Sequence, residues 1–315
     1  MHLSTPHHAI IGAGLAGLSC ALKLQGQGHR VTLFEKARGP GGRLSSRRRL
    51  ETTFDLGCQS LGAESETFQL QLEVWQKQGW LTSEDQLHFY PPGRMSHLTR
   101  QLAESLATPD ALQCQTRIVQ LQQHPDGWWL TDDQGQQHGP FDQVTLAIPA
   151  TQALALLETC GSSLATALQQ AQQQAVWVAY FVLPAGLHTR KTQSPAVPLR
   201  RCTLLNDKPG QAHHLQRWVI EADCQWSEAH QHLPAEQVAR QLFELWAACQ
   251  QTPEPLLLEA HRWLYGFTTQ ALKQPFLLDN QTGLALCGDF CLGDQAEHAW
   301  LSGNLLARAL SRPVQ

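Results

Sequence analysis

Three glycines at positions 12, 14 and 17, an acid at 35 and an arginine at 43 are the residues whose types and spacing point first to chemistry. Residues 8–11 form a short apolar run, and the turn Gly12-Ala13-Gly14-Leu15-Ala16-Gly17 follows it. An apolar-periodic helix through Leu18, Ala21, Leu22 and Leu24 comes next, then a strand at 31–34 that ends in Glu35. This is a strand–turn–helix–strand unit, with glycines where a dinucleotide pyrophosphate needs a close backbone. The helix start offers free N–H groups and a partial positive charge to the phosphates. Glu35 can accept hydrogen bonds from a ribose diol.

Composition bounds the rest. The chain has 315 residues, enough for two interleaved domains. A net charge of −4 with no basic stripe gives no reason to expect nucleic acid. Nine scattered cysteines without a Cys-x-x-Cys pattern argue against a disulfide framework and for a reducing compartment. The first residues lack the layout of a secretory signal, and the apolar run there is too short to span a bilayer. The expectation is a soluble, cytoplasmic protein.

The remaining pattern supplies the elements that must hold a ligand. Lys36 to Leu44, with Gly39, Pro40, Gly41 and Gly42, forms an irregular loop that presents Arg43 to a phosphate oxygen. Helical spacing covers 67–80 and 95–107. Strands are expected at 115–121, 127–131 and 141–147, and a helix at 150–173. Strands at 176–183, 199–205, 215–222 and 256–264, with a helix at 235–250, suggest an antiparallel sheet for the substrate. Trp177, Trp218, Trp226 and Trp263 are mostly core by default. The helix is expected to bury Val238, Leu242, Leu245, Trp246 and Cys249. A strand at 284–287, Gly288-Asp289 and a final helix at 297–310 return to the first domain.

The Gly-Gly-Arg turn resembles the flavoprotein family that includes amine oxidases and carotenoid desaturases. That resemblance implies FAD, with the residue at Ile118 meeting the adenine through its backbone. Asp55, Gly57 and Gln59 resemble the family's approach to the flavin ring. Asp289 would bind a ribityl hydroxyl, and the helix start near His298, Ala299 and Trp300 would face the flavin N1–C2=O edge. A helix N-terminus suits that edge because reduced flavin is anionic there.

Over nearly its whole length the chain resembles the renalase branch. The stretches that carry this are residues 35–48, Lys208-Pro209-Gly210 after Asn206, Trp226-Ser227, His261-Arg262-Trp263 and residues 286–303. It departs from that branch at Cys58, Ser60, Leu264, Gly266 and His298, on the flavin or substrate face. The implied fold is α/β: a discontinuous Rossmann-like FAD-binding domain (1–66, 110–160, 276–315) with an α+β substrate domain built on an antiparallel sheet (67–109, 161–275). The implied activity is oxidation of 2- or 6-dihydronicotinamide isomers of NAD(P) by hydride transfer to non-covalent FAD, with O2 as acceptor. The cradle comprises Gly12, Ala13, Gly14, Leu15, Ala16, Gly17, Glu35, Lys36, Gly42, Arg43, Leu44, Gln59, Ile118, Gly288, Asp289, His298, Ala299 and Trp300. Gln59, Asn206, Trp263 and Tyr265 are substrate-facing candidates, and no catalytic side chain is required because the dihydropyridine expels hydride unaided.

Three other readings compete. A primary-amine or polyamine oxidase would use Trp263 and Tyr265 as facing rings. A flavin-binding protein without turnover is a second. A metal site from Glu228, His230, His232 and the His213-His214 pair is a third, against which the expectation is no metal. Covalent flavin attachment at Cys287 or Cys291 is conceivable but not what the resemblance implies. Oligomeric state, monomer or dimer, is not encoded in any of these signals.

Overall fold

The computed structural model describes residues 5–187, 197–211, 214–248 and 252–311. Alternating strands and helices at the start of the chain build a parallel sheet. Its centre is His7–Ile11, paired in parallel with Arg30–Glu35 on one side and Gln143–Leu146 on the other. Leu112–Cys114 extends the first side and Leu284–Leu286 the second, both parallel, and Leu277–Asp279 closes the edge antiparallel. The six strands thus come from three separated parts of the chain. Strands covered on both faces must be apolar throughout, and Ala9, Ile10, Leu33, Val144, Leu146 and Leu286 are fully buried.

One face of this sheet carries Leu15–Gln25 and the final helix Ala296–Leu310. Glu66–Lys77 and Ser96–Glu104 share their core: Phe68, Leu72, Trp75, Leu98 and Leu102 pack with Leu18, Leu24 and Leu306. Glu297 ties these parts together. Its buried carboxylate accepts from the backbone N–H groups of Glu64 (2.6 Å) and Ser65 (2.9 Å) and from the Ser65 hydroxyl. Ser65 is in turn the cap of the helix Glu66–Lys77, so the final helix fixes where that helix starts.

The second sheet is antiparallel, in the order Leu199–Leu204, Gln216–Ala222, Gln172–Leu183, Leu257–Gln270. Strand alternation gives it two different faces. One, with Trp177, Phe181 and Trp218, packs on the helix Ala235–Ala247 through Val238, Leu242 and Trp246. The other carries Val178, Tyr180, Val182 and Val219 and is covered by Phe54 and Leu56. Phe54 belongs to the hairpin Ser46–Arg49 and Thr52–Asp55.

Several element boundaries differ from the sequence expectation. Gln115 takes a φ of 56°, so the chain makes two strands, Leu112–Cys114 and Ile118–His124, in place of one at 115–121. The strand expected at 141–147 divides at Asp142, where the chain passes from the three-stranded meander (Gln137–Phe141) into the parallel sheet (Gln143–Leu146). Gly161, left-handed at φ 63°, ends the helix Ala150–Cys160, so 150–173 is not one helix. The strand expected at 256–264 continues to Gln270. Leu245 is 39% exposed and does not belong to its helix's buried face. Trp177 and Trp218 are core, whereas Trp226 and Trp263 are half-buried. Cys249 and His213 lie outside the described residues. No helix among the described residues is long and apolar enough to cross a membrane.

Candidate functional site

The glycine-rich turn is held shut by close contacts. A Cβ on Gly17 would lie 2.0 Å from the Gly12 carbonyl oxygen, so only glycine lets the first helix start there. A Cβ on Gly14 would meet nothing within 4 Å, which leaves an open shelf above the turn. No side chain caps the helix Leu15–Gln25, and its first N–H groups face that shelf. Glu35, 9% exposed, ends the second strand and takes the Ala13 N–H on one oxygen (3.0 Å) and the Ala37 N–H on the other (2.8 Å). Each oxygen keeps a second lone pair for a ribose hydroxyl. Gly41 N–H donates to the Ala13 carbonyl at 3.0 Å, which brings the Gly-Gly-Arg turn over the first one.

Arg43 and Asp289, 246 positions apart, form an ion pair. Arg43 also donates to the Gly266 carbonyl at 3.3 Å, and Asp289 accepts from the Thr268 hydroxyl at 2.6 Å. Asp289 is 4% exposed. Burial opposes the Arg43 charge, and Asp289 more than offsets it, so the guanidinium sits above its ordinary range. The two residues expected to contact a diphosphate and a ribityl chain separately are thus each other's partners, beside the strand Leu257–Gln270.

The other expected cradle residues fall in several places. Leu15 and Ala16 begin the first helix, and Leu44 is buried below the Gly-Gly-Arg turn. Lys36 reaches the Gln152 side chain at 3.2 Å. Ile118 is buried at the head of its strand. The Gly288 N–H donates to the Ser302 hydroxyl at 2.9 Å. His298 accepts from the Gln295 N–H at 3.3 Å and caps the final helix. Ala299 lies in that helix's first turn, with Trp300 beyond it and turned onto Phe68, ring centroids 5.4 Å apart.

Between the two sheets runs Asp55 to Gln59. Gly57 is required, because a Cβ there would lie 2.2 Å from the Arg43 carbonyl oxygen. Trp263 donates its indole N–H to the Leu56 carbonyl at 3.0 Å, and Arg201 donates to the Gly57 carbonyl at 3.0 Å. Gln59 is 5% exposed, and its side-chain oxygen has no partner among the described residues. The antiparallel sheet faces this segment with charge. Arg201 pairs with Glu221, Lys208 with Asp55, Arg49 with Glu259, and Arg47 reaches Tyr180 and His261. Burial, and then Arg47, push the His261 imidazole down to about 4, so it is neutral at pH 7.

The substrate-facing candidates separate. Gln59 and Trp263 meet at this segment. Asn206 does not join them: its amide donates to Leu215 O (2.9 Å) and accepts from Arg217 N (2.9 Å), closing a turn of the sheet. Tyr265 makes no ring contact with Trp263 among the described residues; the ring edge-on to Trp263 is His261, at 4.6 Å. The strand bulges between Trp263 and Phe267, which breaks the simple alternation. Thr268, Arg201, Arg217 and the Gly266 carbonyl were not legible, because each acts on a partner far away in sequence. An open cavity of about 470 Å³ at the sheet edge shares only His261 with this wall. Glu228 and His230 lie at the end of a short helix, where His230 stacks on Trp226 at 3.9 Å. The described residues contain no group of three metal-ligating side chains.

Residues 10–70 match an NAD(P)-binding Rossmann-like domain. Residues 68–311 match the family described as flavin containing amine oxidoreductase. A 4,4'-diapophytoene desaturase (4,4'-diaponeurosporene-forming) of Staphylococcus aureus is 47% identical over 49 residues, 16% of this chain. The match spans 10% of that desaturase's length. Among solved structures, an Exiguobacterium sp. 255-15 protein named as a protoporphyrinogen oxidase superposes with a TM-score of 0.76 at 12% identity, covering 98% of this chain and 99% of its own. Cyclohexylamine oxidase from Brevibacterium oxydans IH-35A gives 0.69 at 13% identity, covering 98% and 99%. At such identities the likeness is one of fold.

Proposed function

Because the chain belongs to the flavin-containing amine oxidoreductase family, and is therefore a flavin oxidoreductase that uses FAD, we propose that its substrate is an isomeric dihydronicotinamide dinucleotide rather than an amine. The open shelf at Gly14 and the uncapped helix behind it fit the diphosphate. Glu35 fits the ribose, Arg43 and Asp289 the middle of the cofactor, and Asp55–Gln59 the ring. In this reading a discontinuous FAD-binding domain faces a separate substrate domain.

FAD held by this cradle would supply two-electron acceptor chemistry, accepting a hydride whose loss leaves the substrate ring as the aromatic pyridinium, with O2 and one further proton as the terminal acceptor, giving H2O2. The chain's own groups bind and orient. Trp263 and the neutral His261 offer flat, uncharged rings, and Gln59 offers an amide. No base is needed, since the dihydropyridine nitrogen expels the hydride.

The observation that carries the choice of substrate is the charge of the wall. Arg47, Arg49, Arg201, Lys208 and Arg217 face Asp55, Glu221 and Glu259, and a cation engages each of these carboxylates. An ammonium substrate would meet a surplus of positive charge, with each of these three carboxylates already engaged. A phosphate-bearing dinucleotide would meet the complementary field. Peroxide release tests this directly. Protein reconstituted with FAD should produce H2O2 with borohydride-generated NAD(P)H isomers and none with putrescine or cyclohexylamine. Production with the amines alone would replace this reading by the amine-oxidase one. No production with either would leave a flavin-binding protein without turnover.

A further inference from the structure

Asp55 and Lys208 are 2% and 5% exposed, and the Lys208 ammonium donates to one Asp55 oxygen at 2.8 Å. The other oxygen accepts from the Ser46 hydroxyl at 2.6 Å and the Met95 N–H at 3.0 Å. Arg217, 4% exposed, sits on the same sheet face and donates to Thr52 Oγ1 at 3.0 Å and the Gln211 carbonyl at 2.6 Å. One buried cation thus pairs with the buried carboxylate, and a second feels its charge. A well-packed apolar pair in place of a buried ion pair is often as stable or more so, so stability alone does not account for it.

What the pair holds is the start of the segment between the sheets. Asp55 O accepts from the Gln59 side-chain N–H2, Leu56 O from Trp263 and Gly57 O from Arg201. Three successive carbonyls are clamped. The Gln59 donation fixes which way the amide points, and it leaves Oε1 as the atom without a partner among the described residues. A buried acceptor of this kind is unfavourable until a donor meets it.

We propose that the Asp55–Lys208 ion pair is a positioning device that fixes the Asp55 carbonyl, and through it the Gln59 amide, so that Gln59 Oε1 accepts a hydrogen bond from a ring N–H of bound flavin. The proposal rests on the FAD site and not on the choice of substrate. Lys208 and Asp55 act through Gln59, which touches the cofactor.

The test uses the holoprotein and needs no substrate. Lys208→Met and Asp55→Asn each leave a buried charge uncompensated and lower the melting temperature. The double variant removes both charges of the pair and should recover most of the loss, with Arg217 still held by the Thr52 hydroxyl and the Gln211 carbonyl. It should bind FAD stoichiometrically, yet its visible flavin bands should shift. The ratio of reduced to oxidised flavin against a reference dye should change about 3- to 10-fold, the worth of one hydrogen bond. Gln59→Leu should give the same change, the two effects should not add, and Lys208→Arg should keep the wild-type bands. A double variant with wild-type bands and dye ratio would reduce the pair to a structural role. If the double variant does not fold, Gln59→Leu decides: unchanged bands there overturn the proposal. The peroxide assay can fail while this test succeeds, so the two readings stand apart.

Discussion

The two walls of the site are built by opposite means. On the parallel sheet, the cradle is made of backbone: a turn that admits only glycine at 17, an open shelf at Gly14, N–H groups of a helix start, and one carboxylate, Glu35, bonded to the N–H groups of Ala13 and Ala37. On the antiparallel side, the wall is made of paired side chains: Arg201 with Glu221 and Tyr180 with Glu259 across strands of the sheet, and Lys208 and Tyr180 with Asp55 and Arg47 of the hairpin. Backbone N–H groups suit a diphosphate, whose oxygens accept from any of them. Paired side-chain charges set a local field that a ligand's own charge must match. If one wall holds the cofactor and the other the substrate, the two can be disturbed separately.

The largest separation should come from Gly17→Ala. The added Cβ would overlap the Gly12 carbonyl oxygen at 2.0 Å, with a strain of about 3 kcal/mol or more. The expected protein is colourless after purification while the antiparallel sheet's tryptophan fluorescence is retained. Stoichiometric yellow protein would contradict the backbone cradle.

Acid should weaken both walls, by different amounts. Burial, and then His29, push His8 in the parallel sheet down to about 4, against 6.5 for the free side chain. An unfolded chain below pH 6.5 binds a proton that the folded one refuses. Stability is thus full above about pH 6.5 and falls as pH drops toward about 4, by about 3 kcal/mol for His8. His261, less enclosed, contributes in the same window and by less. Urea midpoints from pH 7.5 to 4.5 should show the fall, and His8→Gln should flatten more of it than His261→Gln. A profile flat across this range in the wild type would contradict the buried neutral imidazoles.

Arg43→Ala probes the junction of the two walls. It leaves Asp289 buried with the Thr268 hydroxyl as its partner. The expected loss is about 2–3 kcal/mol, which weakens FAD about 30- to 150-fold in a fluorescence titration. An unchanged affinity would show that the pair serves the sheets and not the cofactor. Trp263→Phe should have the smallest effect. It removes one hydrogen bond, to Leu56 O, worth about 1 kcal/mol. FAD affinity should stay within about twofold while turnover falls about fivefold; the reverse pattern would assign Trp263 to the cofactor wall.

The same contrast explains what could be read from the chain. Gly12 to Glu35 is a local unit, so its strand, turn, helix and acid follow from spacing alone, and the return at Gly288-Asp289 follows from the apolar strand before it. The pairing of Arg43 with Asp289 does not, because each residue has a plausible separate role and only the folded chain puts them together. Asn206 stands out only through the resemblance around Lys208-Pro209-Gly210, and Tyr265 only as an aromatic two positions from Trp263. One closes its own turn, and the other sits in a bulge that strand alternation does not anticipate. Lys208 and Arg217 carry no local signal of burial, since a lysine before Pro-Gly and an arginine in a strand are ordinary surface residues.

Anaerobic mixing tests the central claim most directly. Flavin-loaded protein, mixed without oxygen with 2- or 6-dihydro-NAD(P) in one syringe and with putrescine or cyclohexylamine in another, reports which donor reduces the flavin before any acceptor intervenes. The cationic wall requires that the visible flavin band bleach with the dihydronicotinamides and persist with the amines. Bleaching by an amine, with the band unchanged by every dihydronicotinamide isomer, would contradict it.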